Sequence, residues 1–197
     1  MNTGRKFFII LLLMVGVGIG GYILVKGDVF PVAVVDSGFI SARTFDRSVK
    51  ALAQYYEVSA KNAAANNKPV PVSPGTAALK KAMLAQLIQD ELIARNFHAV
   101  AGKDADAVVL KKLESVKDKT ESAEFQNAVR AFYGLSIDEF KDFVLIPEAR
   151  REVITDALRA KHEDFEAWVK GLQTKASVFI LLRGFSWEKG ELKAATN

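Results

Sequence analysis

The stretch V32-A-V-V-D-S-G-F-I-S-A-R-T-F-D-R-S-V49 decides how the chain is read. Four strand formers, Val32 to Val35, run into Asp36-Ser37-Gly38, which has turn composition, with Gly38 free to take positive φ. Ser41 then stands where a helix N-cap belongs, and Phe45, Val49, Leu52, Ala53 and Tyr56 recur at three and four residues, forming one helical face. The question is why a strand of this kind should open a chain whose remaining pattern is mostly helical.

Upstream lies an apolar run, Phe7–Val25, of 19 uncharged residues, about the length that crosses a hydrocarbon core of roughly 30 Å as a helix. No small-x-small cleavage site follows it, so the run is read as a retained transmembrane signal-anchor. Arg5 and Lys6 precede it, whereas Asp28 offsets Lys26 after it. This bias places the N-terminus in the cytoplasm and everything from about Gly27 outside. The expected division is a cytoplasmic stub and anchor over 1–27, then one extracytoplasmic domain over 28–197.

Charge follows the same division. The chain carries 27 Lys and Arg against 23 Asp and Glu, a formal net charge of +4. All the acids lie at or after Asp28, and Arg5, Lys6 and Lys26 flank the apolar run, so 24 basic against 23 acidic residues leave +1 on the exported part. The excess belongs to the anchor, and a basic face for nucleic acid has no support. There are no cysteines, hence no disulfides and no lipid-modified cysteine, and stability must come from the core.

Along the exported part, K61-N-A-A-A-N-N-K-P-V-P-V-S-P-G-T76 holds three of the five prolines and reads as a loop. The strongest helix runs from Thr76 to about Phe97. Leu79, Met83, Leu84, Leu87, Ile88, Leu92 and Ile93 form a broad apolar stripe, and Lys80, Lys81, Gln89 and Asp90 lie mostly off it. A shorter helix follows over Asp104–Val116, and another, AEFQNAVRAFYGLS, ends at Gly134 in the C′ position. Ser136 and Glu139 form a capping box. The helix it opens meets Pro147, where a kink or break is expected, and resumes through Val153, Ile154, Ala157 and Leu158. EDFEAWVKGL supplies a last helix, and Ala176–Leu182 reads as a strand. Neither terminal strand can satisfy its own backbone alone, so Val32–Val35 is expected to pair with Ser177–Leu181.

Residues that resemble chemical motifs have plainer explanations. Gly16, Gly18 and Gly21 match a dinucleotide fingerprint in letters only, since no strand precedes them. Gly16 and Gly20 have the spacing that lets two membrane helices approach closely, so self-association there stands beside the simple abundance of small residues in such segments. His98 and His162 are far apart at helix ends, where His98 suits a C-terminal capping role. KDADAVVL lacks the turn glycine and the twelfth-position glutamate of a calcium loop. No nucleophile elbow or phosphate loop is present, and no catalytic, cofactor-binding or metal-ligating residue is nominated. Phe185 and Trp187, in RGFSWEKGEL, either fold back over the core or stay exposed as a contact site for a bound chain.

The order of these features resembles the N-terminal chaperone domain of the SurA and PpiD family. The opening strand, turn and I-[ST]-x-x-x-[FL] helix start correspond to VAVVDSGFISARTFDRSV. LKKAMLAQLIQDELIARNF is similar to that family's Leu-Ile-x-x-x-Leu-Ile helix, and FYGLSIDEFKDFV to its Gly-Leu-[ST] segment. The resemblance covers about Val29 to Leu182. It implies a mainly α fold: one transmembrane helix plus a helical module of that type, closed by a short two-stranded pairing of its N- and C-terminal strands. It also implies extracytoplasmic handling of unfolded or nascent polypeptides; enzymatic activity is not expected, because no residue constellation for catalysis is visible in the sequence. A parvulin isomerase domain does not fit, because Phe179 stands where its strand histidine would fall and only 15 residues follow Leu182. The alternative is a dedicated, non-catalytic partner-binding subunit of an envelope or secretion complex.

Overall fold

The computed structural model describes residues 30–195. β1 (Pro31–Val35) buries Ala33 and Val35 on one face and leaves Val34 half-buried on the other, as side-chain alternation dictates; Val32 is buried as well, at the register shift between Pro31 and Ala33. It turns through Asp36-Ser37 into β2 (Gly38–Ser41). The left-handed residue of this turn is Asp36, with φ of 52°, and not Gly38. Aspartate tolerates that region, and here its fold-wide contacts fix it: its N–H donates to Ser177 O at 2.7 Å and its Oδ1 accepts from Ser177 N–H at 2.9 Å.

Ser41 caps α1 (Ala42–Ala65), its Oγ accepting from Thr44 N–H at 3.0 Å. The helix runs farther than the loop assigned from Lys61 allowed. Ala63 to Ala65 are strong helix formers, Lys61 pairs with Glu57 one turn back, and the helix stops only at Asn66 and the left-handed Asn67. The connection is therefore confined to 66–75. α2 (Thr76–Ala101) buries Leu79, Leu84, Ile88, Leu92, Ile93 and Phe97. Its apolar stripe is broader than the core consumes, so Met83 and Leu87 remain half-buried.

α3 (Ala105–Ser115), α4 (Lys117–Glu121) and α5 (Ala123–Tyr133) follow. Gly134 ends α5 in the left-handed region at φ 65°, where a β-carbon would also meet the Gln54 side chain. The capping box forms as expected: Ser136 N–H donates to Glu139 Oε2 at 2.8 Å, and Glu139 N–H to Ser136 Oγ at 3.2 Å. It opens a short α6 (Ile137–Phe140). Pro147 does not break the chain. A π turn, Lys141–Leu145, absorbs it, with Ile146 N–H donating to Lys141 O five residues back, and α7 (Ile146–Ala160) continues directly. Shifting the ladder by one residue puts the proline, which has no N–H to give, in the first turn of α7.

α8 (Phe165–Lys175) leads to β3 (Val178–Ile180), narrower than the expected Ala176–Leu182. β3 pairs antiparallel with β1 in the register Val34 to Phe179. The tail then forms a hairpin, β4 (Phe185–Glu188) and β5 (Glu191–Ala194), joined at Lys189-Gly190, both with positive φ as a type I′ turn requires.

The expected fold class is corrected on two counts. The closure is not two-stranded: β1 lies in the middle of a three-stranded sheet of order β2-β1-β3, and a separate hairpin packs beside it. No helix among the described residues is long and apolar enough to cross a membrane, and the Phe7–Val25 run lies outside those residues, as do Gly16 and Gly20. The predominance of helix is observed. One core joins the sheet, α1, the first half of α2 and Leu192 of β5; a second joins the end of α2 to α3, α7 and α8; a third lies around Ala51, Val129, Leu135 and Phe140.

Candidate binding crevice

Where the three cores meet, the wide stripe of α2 is not fully covered. Two adjoining cavities, of ≈ 450 and ≈ 270 Å³, share Leu87, Asp90, Phe143 and Pro147 and form one crevice. Leu87 and Asp90 come from α2. Phe143 and Pro147 come from opposite sides of the junction between the π turn and α7, so the device that accommodates the proline also shapes this wall. The larger cavity is bordered on its remaining side by Phe39, Ile40 and Ser41 of β2; the smaller is floored by Ser48 and Ala51 of α1 and by Leu135.

Polar side chains share the lining with apolar ones: Asp90 borders both cavities, Asp142 and Arg150 the larger, and Glu148 and Arg151 the smaller. Asp90 has only 18% of its side chain exposed. Its Oδ1 accepts from Gln86 Nε2 and from Arg151 Nη2, each at 3.0 Å. Burial pushes its carboxyl above the usual range, an effect that the Arg151 charge and the Gln86 bond oppose. Arg151 reaches on to Glu148 at 3.1 Å. Ser48 is buried with no partner for its Oγ among the described residues, and the same holds for Arg150 Nε and Arg151 Nε. Arg150 lies with its guanidinium carbon 5.9 Å from the Phe97 ring centroid.

Arg47 does not line the crevice. It donates to both carboxylate oxygens of Glu139 at 2.7 and 2.8 Å and to Gly134 O at 2.7 Å, tying α1 to the start of α6. The Arg47 bonds, and then the Ser136 N–H, lower the Glu139 carboxyl to about 2.

Phe185 and Trp187 lie elsewhere. Both sit on β4, half-buried against the first core beside Leu192, and neither lines the crevice. His98, in the last turn of α2, has Nε2 3.2 Å from Asp106 and Nδ1 3.3 Å from Gly102 O, which joins the helix end to α3. His162 takes φ 58° just past α7. No group of three or more His, Cys, Asp or Glu among the described residues could hold a metal ion.

The crevice residues themselves were missed from the sequence. A usable signal was Asp90: Met83, Leu87, Asp90 and Ala94 follow one another at four, three and four residues, placing an acid in line with a half-apolar face. Comparison of the chain with protein-family models, with curated proteins and with solved structures finds no match.

Proposed function

We propose that the protein is a non-catalytic, chaperone-like binder of unfolded or partly folded polypeptides. The observation that carries this reading is the crevice: apolar walls from α2, the π turn and β2, left uncovered in a folded domain and large enough for several side chains. Such a site gains free energy from exposed apolar groups of an unfolded chain and releases them once folding buries them elsewhere. The resemblance of the sequence to the SurA and PpiD chaperone domain points the same way. Location at the outer face of a bacterial cytoplasmic membrane is part of the reading and rests on sequence alone, through Phe7–Val25 and the charges around it. Attachment there would raise the effective concentration of the site near emerging chains.

The test is aggregation of several unrelated unfolded proteins at near-stoichiometric ratios of the full chain. Suppression for most of them, abolished by Phe143→Asp, supports the reading; no effect on any of them refutes it.

A dedicated partner-binding subunit is the second reading, favoured by a surface that adjoins the crevice at Phe39. On the outer face of the sheet Phe39, Val34 and Phe179 stand side by side, with Phe39 55% and Phe179 66% exposed. Tight binding of one native protein, with unfolded proteins left to aggregate, selects this reading.

A further inference from the structure

The open side of the crevice is the edge of a β-sheet, and the hydrogen-bond parity of the sheet fixes which groups it presents. Asp36 N–H donates to Ser177 O at 2.7 Å and Leu181 N–H donates to Val32 O at 2.8 Å. The even-numbered positions of β1 therefore face β3, which leaves Ala33 and Val35 to bond β2 at Ile40 and Gly38. Phe39, opposite Val34, accordingly turns its N–H and C=O away from β1. Ala42 N–H returns to Phe30 O at 2.7 Å, so Ser41 N–H faces outward as well. No backbone or side-chain partner meets Phe39 N–H, Phe39 O or Ser41 N–H among the described residues.

Exposed edges of this kind are normally guarded. Here the guard stands at one end only: Arg95 donates to Ser37 Oγ at 2.6 Å and to Glu91 at 2.8 Å beside Gly38. Past it, Phe39 to Ser41 border the ≈ 450 Å³ cavity. The other sheet edge, β3, is approached by β4. Unpaired main-chain groups at alternate residues beside an apolar wall are complementary to one kind of occupant, an extended backbone with apolar side chains. Charge adds a preference. Glu91 is paired with Arg95 and Asp90 with Arg151, whereas Arg150 and Asp142, at the same cavity, have no ion-pair partner among the described residues; Asp142 is exposed and Arg150 half-buried, so the cation is the charge that an occupant of the cavity would meet.

We propose that the crevice takes its occupant as an added β-strand: an extended, mainly apolar polypeptide segment pairs with β2 at Phe39 and Ser41 and sets an acidic side chain at Arg150. This rests on the polypeptide-binding reading and specifies what that site recognises.

The probe is a fluorescein-labelled heptapeptide alternating valine and phenylalanine around a central glutamate, with glycine-serine ends, titrated by anisotropy against the full chain. Two analogues carry N-methyl groups on alternate amides, one on the even residues and one on the odd. An added strand turns only one set of amides toward β2, so one analogue binds within about twofold of the parent and the other loses roughly tenfold, the order expected for lost hydrogen bonds. Equal affinity of the two analogues overturns the proposal. Phe39→Pro removes the outward N–H together with the Phe39 side chain, so Phe39→Ala serves as its control: the proline variant is expected to bind the parent peptide more weakly than the alanine variant by a similar degree. Replacing the central glutamate by lysine weakens binding to the wild type, and Arg150→Gln erases that difference; a preference that survives the substitution overturns the assignment of Arg150. If the parent peptide does not bind while unfolded proteins are still kept from aggregating, strand addition fails and the broader reading stands. Loss of both refutes both.

Discussion

Arg47 and Glu139, 92 residues apart in sequence, meet through two bonds of 2.7 and 2.8 Å and hold α1 against the start of α6. Because the Glu139 carboxyl is lowered from 4.5 to about 2, the stability it contributes is present above about pH 4.5 and is lost as pH falls toward 2. Glu139→Gln should lower the melting temperature at pH 7 by about 2–4 °C, as for a partly exposed pair worth on the order of 1 kcal/mol. Melting curves of the two proteins should converge between pH 4.5 and 2. A gap independent of pH would remove the ion pair as its cause.

Prolines placed in the sheet should separate its middle from its edge. Val34 N–H belongs to the ladder with Phe179, so Val34→Pro is expected to cost about 3 kcal/mol or more, whereas Phe39→Pro, on the open side of β2, should cost under about 1 kcal/mol. Urea denaturation monitored by far-ultraviolet circular dichroism measures both. Equal losses would contradict the sheet order.

Gly190 has φ of 84°, and a β-carbon on it would lie 3.1 to 3.2 Å from backbone atoms of Gln173 and Thr174. Gly190→Ala should therefore destabilise the protein by about 1–3 kcal/mol, combining left-handed strain with displacement of the hairpin from α8. The emission of Trp187, half-buried in that hairpin, should shift to the red in the same variant. A neutral substitution with unchanged emission would mean that the hairpin does not seat on α8.

Phe143 is half-buried between the third core and the crevice. Phe143→Asp should abolish suppression of aggregation while the chain remains folded by circular dichroism, because its loss affects one wall of the site and leaves the buried centre of α2 intact. Phe185→Asp, which damages the first core, should instead act through stability, with activity per folded molecule preserved.

A cysteine introduced at Asn197 should react with a membrane-impermeant thiol reagent in intact spheroplasts. Labelling only after lysis would place the domain on the cytoplasmic side and remove the location from the proposed function.

What the sequence disclosed depended on how local the cause was. Ser41, the Ser136–Glu139 box and Gly134 are caps written within four residues, and each occurs where the pattern places it. The partnership of Val32–Val35 with the chain's last third follows from unpaired backbone at both ends. β2 was hidden because its two end residues, Gly38 and Ser41, also read as turn and cap, and the tail hairpin because Lys189-Gly190 is a less familiar type I′ turn than Asn-Gly. The response to Pro147 depended on whether the ladder would break or shift, which a periodicity of apolar residues does not encode. The crevice was least legible of all, since it is what three packed cores fail to cover. Asp90 carried a trace of it, being an acid in line with apolar neighbours.

The central place of β1 also orders events during synthesis. Pro31–Val35 leaves the ribosome long before Val178–Ile180, and the first core stays incomplete until Leu192 has followed. Until Val178–Ile180 has emerged, the β3 side of β1 has no partner to pair with, and until Leu192 has emerged the first core lacks one of its buried members. A protein that offers an open strand edge once folded is, until Leu192 emerges, in the same condition as the chains it is proposed to receive.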